Sequence, residues 1–94
     1  MAFTYLLRCS DGSYYVGSTR SLDLRLGQQA EGLGGAHTRR RRPTVLVWFT
    51  EFEHVGAAYA FERQLHGWSR AKKEMLIEGR WDELSGHSRR SRRR

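Results

Sequence analysis

Two adjacent tyrosines near the start of the chain raise the first chemical question. Tyr14 and Tyr15 lie in residues 13–17 (SYYVG), a stretch typical of a short strand because tyrosine is a good strand former. Neighbouring side chains of a strand point to opposite faces, so one core cannot use both rings. One tyrosine is therefore expected to pack, and the other is a candidate for chemistry.

The helix predicted for residues 18–29 (STRSLDLRLGQQ) carries two polar side chains on its apolar seam. Leu22 and Leu26 form this seam, and Arg25 and Gln29 follow Leu22 by three and seven residues. An arginine that faces the core is unusual and needs a partner. Spacing alone favours an Arg25 whose stem covers the core while its guanidinium reaches water.

Glu62 is predicted to be a carboxylate at the edge of the core. In the helix predicted for residues 55–67, it lies beside Ala58 and Leu65, about 40° from the centre of the apolar stripe. Such a carboxylate either binds a metal or leans outward and pairs with a basic side chain. Spacing alone favours the second interpretation.

Positive charge is concentrated at one end of the chain. Seventeen Lys and Arg against ten Asp and Glu give a net charge of +7, and five arginines without any acid lie in residues 85–94 (SGHSRRSRRR). A segment without apolar residues cannot form a core, so the sequence predicts a folded domain of residues 1–84 and a disordered basic tail of residues 85–94. The tail either attracts phosphates or only keeps the protein in solution.

Two further basic clusters lie inside the predicted domain. One is an uninterrupted run of four arginines just before Pro43, and the other follows Ser69. Four arginines without an interleaved acid favour a phosphate contact, although solvated loops also carry charge without function. The candidate nucleic-acid-binding residues are Arg39, Arg40, Arg41, Arg42, Arg70, Lys72 and Lys73.

The first two strands are predicted to form a hairpin over residues 3–16, with two alternatives for its turn. A two-residue Asp-Gly turn pairs Arg8 with Tyr15 and separates Tyr15 from Tyr5. A three-residue Ser-Asp-Gly turn with a left-handed glycine pairs Leu7 with Tyr15 and places Tyr5 and Tyr15 on one face. Both turns suit Asp-Gly, so the sequence leaves the choice open.

The rest of the chain completes an α+β fold, a small three-stranded, mostly antiparallel sheet flanked by three helices. The third strand is apolar on both faces through Phe49, so both faces of the sheet are expected to be covered. A loop is predicted over residues 31–43, and this strand follows it over residues 44–52. A third helix is predicted to be capped by Ser69 and to end at Ile77, with Trp81 and Leu84 packing back against the domain.

Length and composition exclude several classes of protein. The 94 residues are enough for one small domain. The sequence contains no run of about 18 apolar residues, so it predicts no membrane span. The four histidines and the single Cys9 are scattered along the chain and do not have the spacing of a zinc site. A lone cysteine is compatible with a reducing compartment, so we expect a cytoplasmic protein.

The order of these residues resembles the GIY-YIG nuclease domain. The resemblance runs through T-Y-L-L (residues 4–7), Y-V-G (15–17), Arg25 and Glu62, and it covers residues 3–78. Further stretches are similar to the small stand-alone bacterial members, which are related to a catalytic subunit that cuts branched DNA. These stretches are G-A-H-T-R (35–39), Arg42-Pro43 and F-E-R-Q-L-H-G-W-S-R-A-K-K (61–73).

The resemblance implies a nuclease that hydrolyses DNA phosphodiesters with one divalent metal, Mg²⁺ or Mn²⁺. Tyr15 would take the position of the general base, and Arg25 would stabilise the phosphate. Glu62 would be the metal ligand, and Tyr5 an active-site hydroxyl that orients the other groups. The expected substrate is structured or branched DNA, and DNA is expected as the nucleic-acid partner in preference to RNA. A protein partner for substrate selection and the oligomeric state are left open.

The implied chemistry suits these residue types. Phosphodiester hydrolysis develops negative charge on oxygens, which a metal and a fixed guanidinium neutralise. Arginine stays charged and grips phosphate through a planar fork. A tyrosine has an ordinary pKa of about 10, so it needs help to act as a base near neutral pH.

Position 29 departs from the family pattern. The family has a histidine or tyrosine one helical turn after the arginine, whereas this chain has Gln29. Glutamine forms hydrogen bonds but cannot titrate, so no proton can pass through it. The alternative hypothesis is therefore a catalytically silent nucleic-acid-binding module that keeps the fold.

Overall fold

The computed structural model describes residues 1–33 and 35–79, and it has the predicted α+β architecture. Along the chain, the elements are β1 (Ala2–Arg8), β2 (Tyr14–Thr19), α1 (Leu22–Ala30), α2 (Ala36–Arg39), β3 (Val45–Phe52), α3 (Val55–His66) and α4 (Arg70–Ile77). The sheet has the order β2-β1-β3, and both of its strand pairs are antiparallel.

The turn between β1 and β2 has three residues. The Cys9 amide donates to the Ser13 carbonyl at 2.8 Å, and Gly12, between them, has a left-handed φ of 86°. The Asp11 carboxylate accepts from the Ser13 amide at 2.9 Å and so stabilises the turn locally. The resulting register pairs Leu7 with Tyr15, which selects the second of the two alternatives that the sequence allows.

The core lies on one face of the sheet, beneath α3 and α4. Leu6 and Val16 from the strands pack with Leu65 from α3 and Leu76 from α4, and all four are nearly fully buried. Each such side chain stabilises the fold by about 1.5–3 kcal/mol relative to an exposed one. Ala58 and Leu65 are the buried residues of α3, as its predicted stripe requires.

Polar contacts fix α3 and α4 in place. The Thr4 and Ser18 hydroxyls both donate to the Ala58 carbonyl, at 2.8 and 3.2 Å, and tie α3 to β1 and β2. The Ser69 hydroxyl accepts from the Lys72 amide at 3.1 Å, so Ser69 is the N-cap of α4 as predicted.

Two predicted elements need correction. The helix expected from residue 18 begins at Leu22, because β2 continues through Thr19 to keep its pairing with β1. The loop expected over 31–43 contains the short helix α2, so residues 1–33 and 35–79 form four helices instead of three. A single turn of helix has too few residues for a visible hydrophobic period, so the sequence pattern did not indicate it.

The expectation that both faces of the sheet are covered is wrong for β3. Val45 and Phe49 keep 56% and 50% of their surface exposed in the part of the chain that the structure describes. Phe49 packs edge-on against Phe3, with ring centroids 6.2 Å apart. The predictions for Trp81, Leu84 and the tail of residues 85–94 lie outside the described residues.

None of the helices in residues 1–33 and 35–79 has the length and apolar character needed to cross a membrane.

Candidate active site on the tyrosine face of the sheet

Tyr5 and Tyr15 lie together on the face of the sheet opposite the core, with ring centroids 6.4 Å apart. Tyr14 points to the core side, where its hydroxyl donates to Glu74 Oε2 at 3.2 Å and the Arg70 guanidinium lies 4.7 Å above its ring. The packing tyrosine is thus Tyr14, and Tyr15 belongs to a separate polar site.

Gly17 allows the Tyr5 ring to reach this site. It pairs with Tyr5 across the two strands, and a Cβ atom at position 17 would lie only 2.5 Å from the Tyr5 hydroxyl oxygen. Carbon and oxygen atoms that are not bonded do not approach so closely. The glycine of the Y-V-G stretch is therefore required by the close approach of a side chain to the backbone.

The Tyr5 hydroxyl is fully buried and stays protonated at neutral pH. Burial raises the pKa of Tyr5, because a phenolate is poorly solvated there, while the Arg25 guanidinium opposes the shift. The neighbouring Tyr15 adds to the increase of the Tyr5 pKa, and Gln29 slightly reduces it. Tyr5 is therefore suited to donate a hydrogen bond and unsuited to act as a base.

Helix α1 brings Arg25 and Gln29, which both lie on its predicted seam, to this hydroxyl. Gln29 is buried, with 2% of its surface exposed, and Arg25 is half-buried. Within the described residues, neither the Tyr5 hydroxyl nor Gln29 Oε1 has a partner at full hydrogen-bond geometry. Two buried polar atoms without partners on adjacent elements are typical of a site that binds a polar ligand.

His37 is a member of the site that sequence analysis did not single out. Its ring stacks on Tyr15, with centroids 6.0 Å apart and planes inclined by 26°, and its Nε2 lies 3.2 Å from the Ser13 hydroxyl. His37 lies on α2, which was not predicted, so no helical face assigned it to the tyrosines. The available signal was its place within G-A-H-T-R (residues 35–39).

Glu62 projects from α3, which packs on the other face of the sheet. Its side chain keeps 27% of its surface exposed, and Oε2 lies 3.4 Å from His66 Nε2. Together with Tyr59 and Arg63, these two residues line a shallow cleft of about 290 Å³. The structure does not place Glu62 in contact with the two tyrosines, and the pairing with a basic side chain that spacing favoured is observed.

The carboxylate of Glu62 fits a weakly held divalent metal. No group of three or more His, Cys, Asp and Glu side chains within residues 1–33 and 35–79 forms a complete metal cage. Mg²⁺ does not need one, because it keeps several waters and is bound by one or two carboxylates together with substrate phosphates. Glu62 is partly exposed and lies at a cleft, so its oxygens are accessible to such an ion.

Two of the four consecutive arginines are held by the protein itself. Arg41 Nε donates to Asp11 Oδ2 at 2.8 Å, and its Nη1 donates to the His37 carbonyl at 3.1 Å. Arg42 Nη1 donates to the Ala30 carbonyl at the end of α1, at 3.3 Å. These contacts join α1 and α2 to the hairpin turn.

Arg39 and Arg40 have exposed side chains and border a cleft of about 490 Å³. A cleft of this size with several guanidinium groups suits the phosphates of a nucleic acid. Its lining residues are Ala30, Arg39, Arg40, Arg42, Pro43 and Thr44.

Of the basic residues of α4, Arg70 holds this helix against the hairpin. Arg70 Nη1 donates to the Gly12 carbonyl at 2.8 Å, and its Nε lies 3.1 Å from Glu74 Oε2. The Lys72 ammonium lies 4.6 Å from the centre of the Trp68 ring. Lys73, a half-buried residue of the same helix, is the remaining basic candidate there.

Comparison with known proteins identifies the class to which this arrangement belongs. The sequence-family model of the GIY-YIG catalytic domain matches residues 1–75, so the chain belongs to the GIY-YIG family. This family consists of nucleases, which generally use divalent metal ions. Membership therefore indicates a nuclease-type function on nucleic acid.

The relatives of the chain are small proteins of similar length. It is 39% identical over 75 residues to the UPF0213 protein BH0048 of Halalkalibacterium halodurans, covering 80% of each chain. It is 38% identical to a UPF0213 protein of Bacillus pumilus, covering 81% of this chain and 78% of the relative. The solution NMR structure of BH0048 matches with a TM-score of 0.55, 38% identity and coverage of 83% and 84%. This solved structure supports the α+β fold.

Proposed function

We propose that this protein is a metal-dependent endonuclease that hydrolyses phosphodiester bonds in structured or branched DNA. The observation that carries the proposal is that Tyr5 and Tyr15 lie on the same face of the sheet. Arg25 lies beside Tyr5, and the absence of a side chain at Gly17 leaves space for the Tyr5 ring. Family membership supports the nuclease class, and the basic cleft beside Arg39 supports a nucleic-acid substrate.

The side chains of the site have complementary roles in this proposal. A water molecule attacks phosphorus, and its oxygen forms the new bond as the bond to the leaving sugar oxygen breaks. The Arg25 guanidinium neutralises charge on the nonbridging oxygens, and the protonated Tyr5 hydroxyl donates a hydrogen bond. Tyr15, which shares this face, is the residue that receives the proton of the water while its own hydroxyl proton passes to solvent, and solvent protonates the leaving sugar oxygen.

Glu62 would hold the metal, with waters and substrate oxygens completing the coordination. When bound, such a cation would stabilise the charge of a substrate phosphate at the Glu62 cleft. His66 Nε2 lies 3.4 Å from Glu62 Oε2, so His66 would be a neighbour of any ion that Glu62 holds.

DNA binding rests on the exposed basic residues. Arg39 and Arg40 face the cleft with their guanidinium groups uncommitted to the hairpin, whereas Arg41 is engaged by Asp11. Residues 85–94, with their five arginines, would add attraction that does not depend on sequence. Selection of a branched structure would then come from the cleft or from a protein partner.

One observation favours a second candidate function, a nucleic-acid-binding module without catalysis. Gln29 is buried at the position where the family has a titratable residue, and it cannot carry a proton.

A cleavage assay with matched arginine variants separates the two candidates. Purified protein with Mg²⁺ or Mn²⁺ is incubated with plasmid, single-stranded, flap and four-way substrates. We expect cleavage of a structured substrate that is lost on addition of EDTA and in Arg25→Ala, while Arg20→Ala, an exposed arginine just before α1, keeps the native rate. Binding of DNA without cleavage of any substrate would favour the silent module.

A further inference from the structure

Two side chains that can bind a metal ion lie side by side on α3. Glu62 and His66 are four positions apart, and both border the cleft of about 290 Å³. Residues at this spacing share one face of a helix, and two histidines at the same spacing bind a common zinc ion in H-E-x-x-H helices. The Glu62 carboxylate and the His66 imidazole are therefore a candidate pair of ligands for one ion.

The distance between the two side chains agrees with a shared ion. Glu62 Oε2 lies 3.4 Å from His66 Nε2, whereas a charge-assisted hydrogen bond between nitrogen and oxygen is shorter, at about 2.7–2.9 Å. Two ligands of a tetrahedral zinc ion, each about 2.0–2.2 Å from the metal, lie about 3.3–3.6 Å apart. An ion could thus bind both atoms with little movement of either side chain.

The backbone that carries this pair is fixed to the sheet. The Thr4 and Ser18 hydroxyls both donate to the carbonyl of Ala58, one helical turn before Glu62. The Glu62 and His66 side chains keep 27% and 58% of their surface exposed, so water molecules and a phosphate oxygen can complete the coordination.

The charges around the pair act in two directions. Helix α3 ends at His66, and the carbonyl groups at a helix C-terminus carry about half a negative charge, which favours a nearby cation. Arg63 also lines the cleft, and its guanidinium opposes a cation in the free protein. A substrate phosphate would offset this repulsion, because it could bind both the metal ion and Arg63.

We infer that Glu62 and His66 together bind one divalent transition-metal ion, so that this site takes Zn²⁺ or Mn²⁺ in preference to Mg²⁺. The inference rests on the proposed function, in which Glu62 holds the metal, and it adds a second ligand to that site. Imidazole nitrogen is a ligand for zinc and other transition metals, whereas Mg²⁺ is bound through oxygen atoms. A site made by Glu62 alone would not depend on residue 66.

Calorimetric titrations of the metal-free, full-length protein with Zn²⁺, Mn²⁺ and Mg²⁺ test this inference without DNA. Glu62→Gln and His66→Gln are each expected to weaken the binding of Zn²⁺ by about 10-fold or more, and His66→Gln to leave the weaker binding of Mg²⁺ unchanged. His54→Gln is the matched control. His54 is exposed just before α3, with Thr50 and Ala58 four positions away on either side, so its loss is expected to leave all three affinities unchanged.

An NMR measurement locates the ion in the native protein. Mn²⁺ is paramagnetic, so a small amount of it is expected to broaden the amide signals of residues 62–66 before those of the rest of the described chain. Added Zn²⁺ is expected to shift the imidazole signals of His66, which are assigned by their absence in His66→Gln. Earlier broadening at another position would overturn the inference, even if a variant failed to fold.

The outcomes separate this inference from the proposed function. If Zn²⁺ binds equally well to His66→Gln, or if His54→Gln loses as much affinity, only adventitious binding is present and the inference is wrong, whatever the cleavage assay shows. If binding depends on both Glu62 and His66 but no substrate is cut with Mg²⁺, Mn²⁺ or Zn²⁺, the metal site stands and the nuclease proposal fails.

Discussion

Gly17→Ala tests the geometry of the tyrosine face without a substrate. The new methyl group would lie 2.5 Å from the Tyr5 hydroxyl oxygen, 2.6 Å from its Cζ and 3.2 Å from Tyr15 Cε2, whereas an ordinary contact begins near 3.4 Å. The Tyr5 ring must therefore move by about 1 Å in a fully buried position, and overpacking of this kind typically costs about 1–3 kcal/mol. For a domain of this size, each kcal/mol lowers Tm by about 4–8 °C.

Gly27→Ala is the matched control for this substitution. Gly27 lies in α1 with nothing within 4 Å of a Cβ, so alanine there is expected to stabilise the helix by about 0.5–1 kcal/mol. Thermal unfolding followed by circular dichroism measures both variants. The two glycines are expected to shift Tm in opposite directions.

A second substitution identifies the atom responsible for the clash. Tyr5→Phe removes the oxygen nearest to the new methyl group but leaves Cζ, so it is expected to restore part of the stability lost in Gly17→Ala. If Gly17→Ala unfolds at the native Tm, or if the double variant shows no coupling, the close approach of Tyr5 to the backbone of β2 is refuted.

Three other predictions concern catalysis, binding and pH. Gln29→His is expected to raise metal-dependent cleavage and Glu62→Ala to abolish it; survival of cleavage in Glu62→Ala would refute the metal assignment. Arg39→Ala combined with Arg40→Ala is expected to reduce the slope of log K against log salt by about 0.9 for each lost phosphate contact, measured by fluorescence anisotropy; an unchanged slope would contradict the phosphate role. The pKa of Asp11 is lowered in the folded state to about 2, so its contribution to stability is present above its ordinary 3.8 and is lost as pH falls toward 2. The difference in free energy of unfolding between the native protein and Asp11→Asn should therefore shrink over this range, and a constant difference in urea titrations would argue against it.

The fold and several site residues could be predicted from the sequence because they depend on local patterns. Strand-forming and apolar residues bounded by turn signals indicated β1, β2 and β3, and the 3.6-residue period of apolar side chains indicated α1 and α3. Ser69 marked the start of α4 by its capping hydroxyl. The seam of α1 placed Arg25 and Gln29 toward the sheet, where the structure has them beside Tyr5. Each of these features depends only on residues that are close together in the sequence.

Features that join distant parts of the chain were decided by the tertiary structure. Two hairpin turns suited Asp-Gly equally, and the three-residue form fixed the parity that puts Tyr5 and Tyr15 on one face. Neither propensity nor periodicity indicated that α2 would bring His37 onto Tyr15 from 22 positions further along the chain. A one-residue change of register reverses every side chain of a strand, so such contacts depend on pairing and packing across the whole domain.

The four consecutive arginines show most clearly what the sequence determines and what only the tertiary structure decides. By sequence they are equivalent donors in one basic run, and nothing local separates Arg39 and Arg40 from the next two. In the folded chain, Arg41 is committed to Asp11 and Arg42 to the Ala30 carbonyl, because the turn and the end of α1 lie within reach of these two side chains. Composition alone determined that this segment is basic, and only the positions of its acceptors in space decided which guanidinium groups are bound by the protein itself.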